Sequence, residues 1–259
     1  MYMEDKKVII DREKCIGCGQ CVKDCVGFDI ELRDGKAYAN GKSCIKCGHC
    51  EAICPSNAVT LTGFTDEIEE FEQQTRLDPK ELLKAIKTRR TIRQFGDKDV
   101  SDEIVDMILE AGRLAPTAAN GQKTSYVVLK DKKNECEAFA VGMFAKLVNT
   151  GKKVVSALSN MNIDENFFFK KAPVVIVICS NDKVSASLAA QNMAFMAEAN
   201  GLGVLFSGFF TTCFNMNGKI RKLIGVPNGT KAVTTLVIGY PAVRYKRTVH
   251  RNDAKVIKA

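Results

Sequence analysis

Residues 15–25 read CIGCGQCVKDC, and residues 44–54 repeat the pattern as CIKCGHCEAIC. In each run, three cysteines follow one another at steps of three residues, and a fourth comes four residues later. Thiolates at such spacing bind iron–sulfur clusters or zinc. Zinc ribbons pair their cysteines as CxxC and lack the third cysteine at a further step of three. The spacing therefore favours two [4Fe–4S] clusters, and two zinc sites are the alternative.

The distribution of cysteines supports metal binding. The chain has 259 residues and eleven cysteines, and only Cys136, Cys179 and Cys213 lie beyond residue 54. A secreted disulfide scaffold would be short and would spread its cysteines along the chain. Residues 1–10 lack the apolar run of a signal peptide, and no apolar stretch has the length of a membrane span. We therefore expect a cytoplasmic protein, and the oxygen sensitivity common among such clusters suggests an anaerobe.

Residues 1–64 resemble the bacterial two-cluster ferredoxins over their whole length. In that family the fourth cysteine of each run ligates the other cluster. The resemblance implies a crossed ligand set, in which Cys15, Cys18, Cys21 and Cys54 hold one cluster and Cys44, Cys47, Cys50 and Cys25 hold the other. The two runs differ in the residue that follows them: Pro55 follows the second run, whereas Val26 follows the first. His49 is expected at the surface, because the eight ligand positions are already filled.

Composition separates the first domain from the rest of the chain. Residues 65–76 (TDEIEEFEQQTR) are polar and acidic, and they predict a linker or a solvated helix between domains at 1–64 and 77–259. The net charge of +8 lies wholly beyond residue 64. Its basic residues are scattered among acidic ones without interleaved aromatics, so anionic small ligands are favoured over nucleic acid.

The second domain alternates helix and strand signals. Asp78 followed by Pro79 predicts the start of a helix, which should run to about Arg89. A second helix is predicted from Ser101 to about Leu114. Apolar β-branched runs predict strands at 125–130, 173–179 and 232–239, and an Ala- and Met-rich run predicts a buried helix at 183–200. This alternation predicts a sheet covered by helices.

Four short motifs follow one another through this second domain. They are Arg-Arg-Thr-Ile-Arg-Gln-Phe at 89–95, Ala-Pro-Thr-Ala-Ala-Asn-Gly-Gln at 115–122, Gly-Leu-Gly at 201–203 with Ser207 and Gly208 behind it, and Gly-Tyr-Pro at 239–241 with Arg247 and Arg251 in the tail. Clustered guanidiniums suit phosphate, since each offers a fork of donors. Paired glycines permit a close approach of the backbone to a ligand. Each motif alone is also typical of an ordinary turn or a solvated basic segment.

In this order, the motifs resemble the nitroreductase family of FMN enzymes over about residues 80–251. The resemblance implies an α+β chain in which the ferredoxin-like domain precedes an α/β domain with a mostly antiparallel sheet flanked by helices. It also implies a homodimer with FMN at the subunit interface. The implied FMN-binding residues are Arg89, Arg90, Thr91, Arg93, Pro116, Thr117, Ala118, Asn120, Gln122, Ser207, Gly208, Arg247 and Arg251, with Gly203 in the turn beside the flavin.

Two departures from the family bear on the substrate. Lys123 and Thr124 replace the Pro-Trp that often follows Gln122 in the family, and the chain has no Trp. The segment after Gly203 also lacks the Cys or Trp found in many members. Both places line the pocket over the flavin in the family, so the shape of the substrate cannot be carried over. Cys136, Cys179 and Cys213 are expected to be apolar packing residues.

The combination of domains predicts an oxidoreductase in which iron–sulfur clusters pass electrons to FMN, which then reduces a small nitro compound, quinone or enone. The resemblance suggests no side chain as a catalytic acid or base. An external ferredoxin or NAD(P)H is the expected electron donor. One alternative takes electrons from NAD(P)H and passes them out through the clusters. The second alternative is a non-catalytic electron relay. The absence of a GxGxxG fingerprint does not decide among them, because the family does not need one.

Overall fold

The computed structural model describes residues 7–66, 68–71, 75–151 and 161–258. The chain divides into two compact units. The first comprises Met1–Thr75 together with Thr117–Gly121, and the second comprises Arg76–Pro116 and Gln122–Ala259. The first division falls at Thr75, inside the predicted linker. The inclusion of Thr117–Gly121 in the first unit has no counterpart in the limits proposed from the sequence.

Short strands and helices build the first unit. Two antiparallel pairs of strands are present: β1 (Val8–Ile10) with β4 (Val59–Leu61), and β2 (Ile30–Arg33) with β3 (Lys36–Ala39). Helices α1 (Gln20–Asp24) and α2 (His49–Ala52) lie within the two cysteine runs. The core is small, since it consists of a few aliphatic side chains and the buried cysteines. A unit of this kind gains much of its folding free energy from bound metal.

Glycines shape the cysteine loops. Gly19 and Gly48 precede the two helices with φ of 71° and 76°, a conformation that glycine adopts without steric cost. A Cβ on Gly17 would lie 2.1 Å from the carbonyl oxygen of Gly35, so no larger residue fits there. The equivalent position of the second run is Lys46, which keeps the left-handed conformation at φ 58°. The two loops thus share one backbone course despite different residues.

The second unit contains a four-stranded antiparallel sheet in the order β5-β6-β8-β7. Its strands are β5 (Ser125–Leu129), β6 (Val174–Cys179), β7 (Gly203–Phe206) and β8 (Ala232–Gly239). Its helices are α3 (Pro79–Thr88), α4 (Asp102–Arg113), α5 (Lys133–Gly151), α6 (Lys183–Ala199), α7 (Gly208–Met216) and α8 (Gly218–Leu223). The antiparallel sheet flanked by helices confirms the fold class implied by the resemblance.

Successive residues of β6 point to opposite faces of the sheet. Val175 and Val177 pack in a core with residues of α5 and α7, whereas Ile176 and Ile178 pack in a second core with residues of α4 and α6. All of β6 is therefore buried, and the unit has three layers. The cysteines beyond the first unit lie in these buried layers, as predicted; they are Cys136, Cys179 and Cys213.

The predicted elements are confirmed to within about two residues. Asp78 caps α3, because its carboxylate accepts from the backbone N–H groups of Lys80 and Glu81. Helices α5, α7 and α8 were not predicted, and β7 occupies part of what the sequence suggested to be a turn. No helix is assigned to the described part of the linker, and 67 and 72–74 lie outside the described residues. Within the described ranges, no helix combines the length and apolarity needed to cross a bilayer.

Candidate functional site

The first unit contains two small cavities, each lined by four cysteines. Cys15, Cys18, Cys21 and Cys54 line one cavity, and Cys25, Cys44, Cys47 and Cys50 line the other. The fold therefore brings the fourth cysteine of each run to the first three cysteines of the other run. This grouping is the crossed ligand set that the resemblance to two-cluster ferredoxins implies.

Four thiolates around one cavity can hold a zinc ion or a four-iron cluster. Each run carries a third cysteine at a further step of three residues, and this spacing favours the cluster.

Backbone amides point at the sulfur atoms of the fourth cysteines. Cys54 Sγ accepts from Ala58 N at 3.2 Å, and Cys25 Sγ accepts from Asp29 N at 3.4 Å. Cys15 Sγ likewise accepts from Ala37 N at 3.4 Å. Such donors stabilise negative charge on the sulfur and are one of the means by which a protein sets cluster potential.

Asp29 is a buried carboxylate near the second cysteine cavity that no sequence motif marks. Its buried carboxylate accepts from the backbone N–H groups of Gly41, Lys42 and Ser43, each at 2.8 Å. Burial raises the pKa of Asp29, but these hydrogen bonds outweigh burial and hold the pKa below its ordinary value. Since Asp29 N also donates to the sulfur of Cys25, the residue connects Cys25 to the segment that leads into Cys44.

In the second unit, the arginine motif lies alongside β7. Ile92 N donates to Val204 O at 3.1 Å, and Thr91 forms a parallel bridge with Val204. The close approach requires Gly203, where a Cβ would lie 2.3 Å from Cγ1 of Ile92. Residues 89–93 are thereby fixed beside the strand that leads to Ser207.

Two guanidinium nitrogens in this motif are buried without a hydrogen bond, although one of them belongs to an ion pair with Glu198. Arg89 Nη1 and Arg90 Nε have no hydrogen-bond acceptor in the part of the chain that the structure describes, and Glu198 lies 4.0 Å from Arg89 Nη1. Buried donors in native proteins are nearly always satisfied. Unused donors on adjacent arginines fit a phosphate ligand, since phosphate accepts forked hydrogen bonds from guanidinium.

A pocket of about 640 Å³ lies at the end of β7. Its lining includes Arg93, Ser207 and Gly208 from the predicted FMN residues. The other lining residues were not predicted; they are Phe167, Phe168, Lys170, Leu205, Phe206, Phe209 and Thr212. Its volume lies within the range of cofactor sites. The residues present fit FMN: arginine donors suit its phosphate, and the apolar walls suit its ring system.

The remaining predicted FMN residues lie outside this lining. Pro116 and Gln122 are exposed, and so are the tail residues Arg247 and Arg251. Thr117, Ala118 and Asn120 belong to the first unit, in which Asn120 Nδ2 donates to the carbonyl oxygen of Lys46 at 2.9 Å. The loop is strained, since Ala119, Asn120 and Gln122 all have positive φ. Such strain is concentrated at functional sites.

Burial in α6 raises the pKa of Glu198 to about 7, even though Arg89 lowers it. The folded state then keeps the proton up to about pH 7, whereas an unfolded chain releases it near the ordinary value of 4.5. The folded state binds this proton more tightly than the unfolded chain does. Protonated Glu198 therefore adds to the free energy of unfolding below pH 4.5, and this contribution falls as the pH rises to 7.

We expect Glu198→Gln to raise the melting temperature of the flavin-free chain more at pH 8 than at pH 5, because glutamine does not ionise. The difference should be a few degrees, since about 1 kcal/mol corresponds to roughly 2–4 °C in a chain of this size. Scanning calorimetry at both pH values measures it, and exposed Glu165→Gln is the control. A melting difference that is the same at both pH values would contradict the raised pKa.

Comparison with known proteins identifies both parts of the chain. A model described as "Nitroreductase family" matches residues 86–240, and a model described as "4Fe-4S dicluster domain" matches residues 7–55. A protein of Archaeoglobus fulgidus, named for NADH dehydrogenase and NAD(P)H nitroreductase, is 29% identical over 175 residues, which cover 62% of this chain and 86% of that protein.

Solved structures show the same fold in the second unit. A nitroreductase with bound FMN from Desulfitobacterium hafniense has a TM-score of 0.56 and 23% identity over 69% of this chain and 98% of its own. An FMN-dependent nitroreductase from Clostridium difficile has a TM-score of 0.54 and 22% identity, covering 70% of this chain and all of its own. The fraction of this chain that each structure matches is about the fraction that the second unit occupies.

Proposed function

Because the chain belongs to the nitroreductase family and carries a 4Fe-4S dicluster domain ahead of it, we propose that it passes electrons from two [4Fe–4S] clusters to FMN for reduction of a small organic acceptor. It is an FMN oxidoreductase of this family, and nitro compounds, quinones and enones are the proposed acceptor classes. The observation that carries the proposal is the presence, in one chain, of two cavities with four cysteines each and a pocket, lined by Arg93 and apolar side chains, that is suited to FMN.

When bound, FMN would supply the step between one-electron and two-electron chemistry, since a flavin takes electrons singly and passes them on as a hydride. The protein's part is to bind and orient. Arg89 and Arg90 would hold the phosphate through their unused donors. Arg93 would place positive charge in the pocket, which favours a reduced, anionic ring. The proposed source of the proton is solvent.

Electron exchange between the clusters and FMN, in either direction, is supported by the loop at 117–121, which the family resemblance assigns to the flavin. Thr117–Gly121 is part of the same compact unit as the cysteine runs. Within that unit, Asn120 donates to the backbone carbonyl of Lys46, which lies between Cys44 and Cys47 in the chain. We propose that the cluster held by Cys25, Cys44, Cys47 and Cys50 is the one that delivers electrons to FMN.

A homodimer is the proposed assembly. No residue of α3 is buried, although Leu82, Leu83 and Ile86 give the helix an apolar side that is 39–50% exposed. An amphipathic helix is normally stabilised by packing of its apolar face. A second copy of the chain would cover this face, in keeping with the dimer that the resemblance implies.

The alternative donor is NAD(P)H. The name of the Archaeoglobus fulgidus relative includes NADH and NAD(P)H, and such a donor would reduce FMN directly. The clusters would then carry electrons outward to an external ferredoxin or similar acceptor. The two directions predict different behaviour of a chain that lacks the first unit.

A chain that begins at Leu77 tests the direction of flow. We expect it to bind FMN and to reduce a nitroaromatic with dithionite, because single-unit structures of this fold cover the second unit. We expect its turnover with reduced ferredoxin to fall to background. Full turnover of the truncated chain with NAD(P)H, together with reduction of ferredoxin by the intact chain under NAD(P)H, would establish the reverse direction. Steady-state rates of both chains with each donor are the measurement.

A further inference from the structure

The pocket at the end of β7 is lined by a second cation, Lys170, which the family resemblance does not assign to FMN. Among the described residues that line it, Arg93 and Lys170 are cationic and none is a carboxylate. The family resemblance assigns Arg93 to FMN, whereas it gives Lys170 no role. Most of the remaining wall is apolar, formed by Phe167, Phe168, Leu205, Phe206 and Phe209.

The turn that carries Lys170 is held in an uncommon conformation. Lys170 and Lys171 have φ of 51° and 64°, and left-handed conformations in successive residues other than glycine persist only where the surroundings enforce them. Buried Glu137 of α5 enforces this turn, since its carboxylate accepts from Phe168 N at 2.9 Å and Phe169 N at 2.7 Å.

The same turn is connected to the proposed flavin contacts. Ser207 Oγ donates to the carbonyl oxygen of Phe168 at 3.3 Å, so the Lys170 turn and the start of α7 are fixed together. The ammonium of Lys170 lies 4.8 Å from the centre of the Phe167 ring. It is therefore placed against an aromatic wall and is only partly exposed to solvent.

We propose that Lys170 binds the acid group of the electron acceptor, which makes aromatic carboxylates and phenolates the preferred substrate class. This inference rests on the proposed function, because it concerns the acceptor of the same pocket. An aromatic ring packs well against phenylalanine side chains, and an anionic substituent on that ring would pair with the ammonium. A neutral acceptor of the same shape would pack against the phenylalanine side chains but would not pair with the ammonium of Lys170.

Binding of unreactive ligands tests this assignment without turnover. Benzoate and benzamide have nearly the same shape and differ in charge, and calorimetry gives the Kd of each for the full FMN-loaded chain. We expect Lys170→Gln to weaken benzoate binding about fivefold, the upper end of the effect of losing one partly exposed ion pair, and to change benzamide binding less than about twofold. Lys170→Arg should keep most of the benzoate affinity, because the charge is retained.

Lys171→Gln is the matched control, since Lys171 shares the left-handed conformation but does not line the pocket. It should leave both affinities unchanged. Equal weakening of benzoate and benzamide by Lys170→Gln, or a loss of FMN affinity in that variant, would overturn the assignment and make Lys170 a residue of the fold or of the flavin site. A chain that binds benzoate as expected but reduces no acceptor would count against the proposed function alone.

Discussion

Cys54→Ala is expected to abolish the cluster held by the first cysteine run while the cluster of the second run remains. The iron content of anaerobically purified protein should fall from about eight to about four atoms per chain, as expected for two four-iron clusters. The reason is geometric: Cys54 belongs to the second run in sequence, yet it lines the cavity of Cys15, Cys18 and Cys21. EPR of the reduced protein would show which cluster remains.

Cys25→Ala is the matched variant, since Cys25 lines the cavity of Cys44, Cys47 and Cys50. It should remove the other cluster and leave an EPR spectrum complementary to that of Cys54→Ala. Loss of the second-run cluster in Cys54→Ala would show that each run binds its own cluster. Two equivalents of zinc with little iron in the wild-type protein would contradict the cluster assignment altogether.

Arg89→Ala is expected to weaken FMN binding roughly tenfold to a hundredfold. Hydrogen bonds to charged groups contribute on the order of 1.5–3 kcal/mol, and Arg89 Nη1 is a buried donor whose acceptor would be the FMN phosphate. Riboflavin lacks the phosphate, so its affinity should change little. Fluorescence titration of both flavins measures the difference.

Arg93→Ala extends this test, since Arg93 lines the proposed flavin pocket. Arg113→Ala is the control, because Arg113 is an exposed residue of α4 that pairs with Glu110. The control should bind both flavins as the wild type does. If Arg89→Ala weakens riboflavin as much as FMN, then Arg89 has a structural role and the phosphate site lies elsewhere.

Local spacing predicts three cysteines of each cavity, whereas the fourth, Cys54 or Cys25, follows only from the resemblance to two-cluster ferredoxins. Three ligands of each quartet fall within seven consecutive residues, so the loop that binds them is encoded locally. Asp29 was missed because the amides that it binds lie 12 to 14 residues further along the chain. Only the fold brings these groups together, and no pattern in the sequence marks such a carboxylate as different from a solvated one.

The pocket of the second unit could be predicted only in part. Arg93, Ser207 and Gly208 lie in motifs of the family, whereas Lys170 comes from a turn before β6 that carries no motif. The two segments meet through the hydrogen bond from Ser207 Oγ to the carbonyl oxygen of Phe168. Strand β8 lies between β6 and β7 in the sheet, and this order of strands is not readable from their residues. Gly203 was interpreted as part of a turn, although its role is to let Ile92 approach the strand.

Rapid mixing of the intact chain with reduced ferredoxin under anaerobic conditions shows whether electrons pass from the clusters to FMN. Freeze-quench EPR follows cluster reduction, and absorbance follows the flavin. We expect the cluster signals to rise before the flavin is bleached, and we expect NADH and NADPH to bleach the flavin slowly or not at all. Rapid bleaching of the flavin by NAD(P)H, followed by the cluster signals, would show that electrons flow from FMN to the clusters.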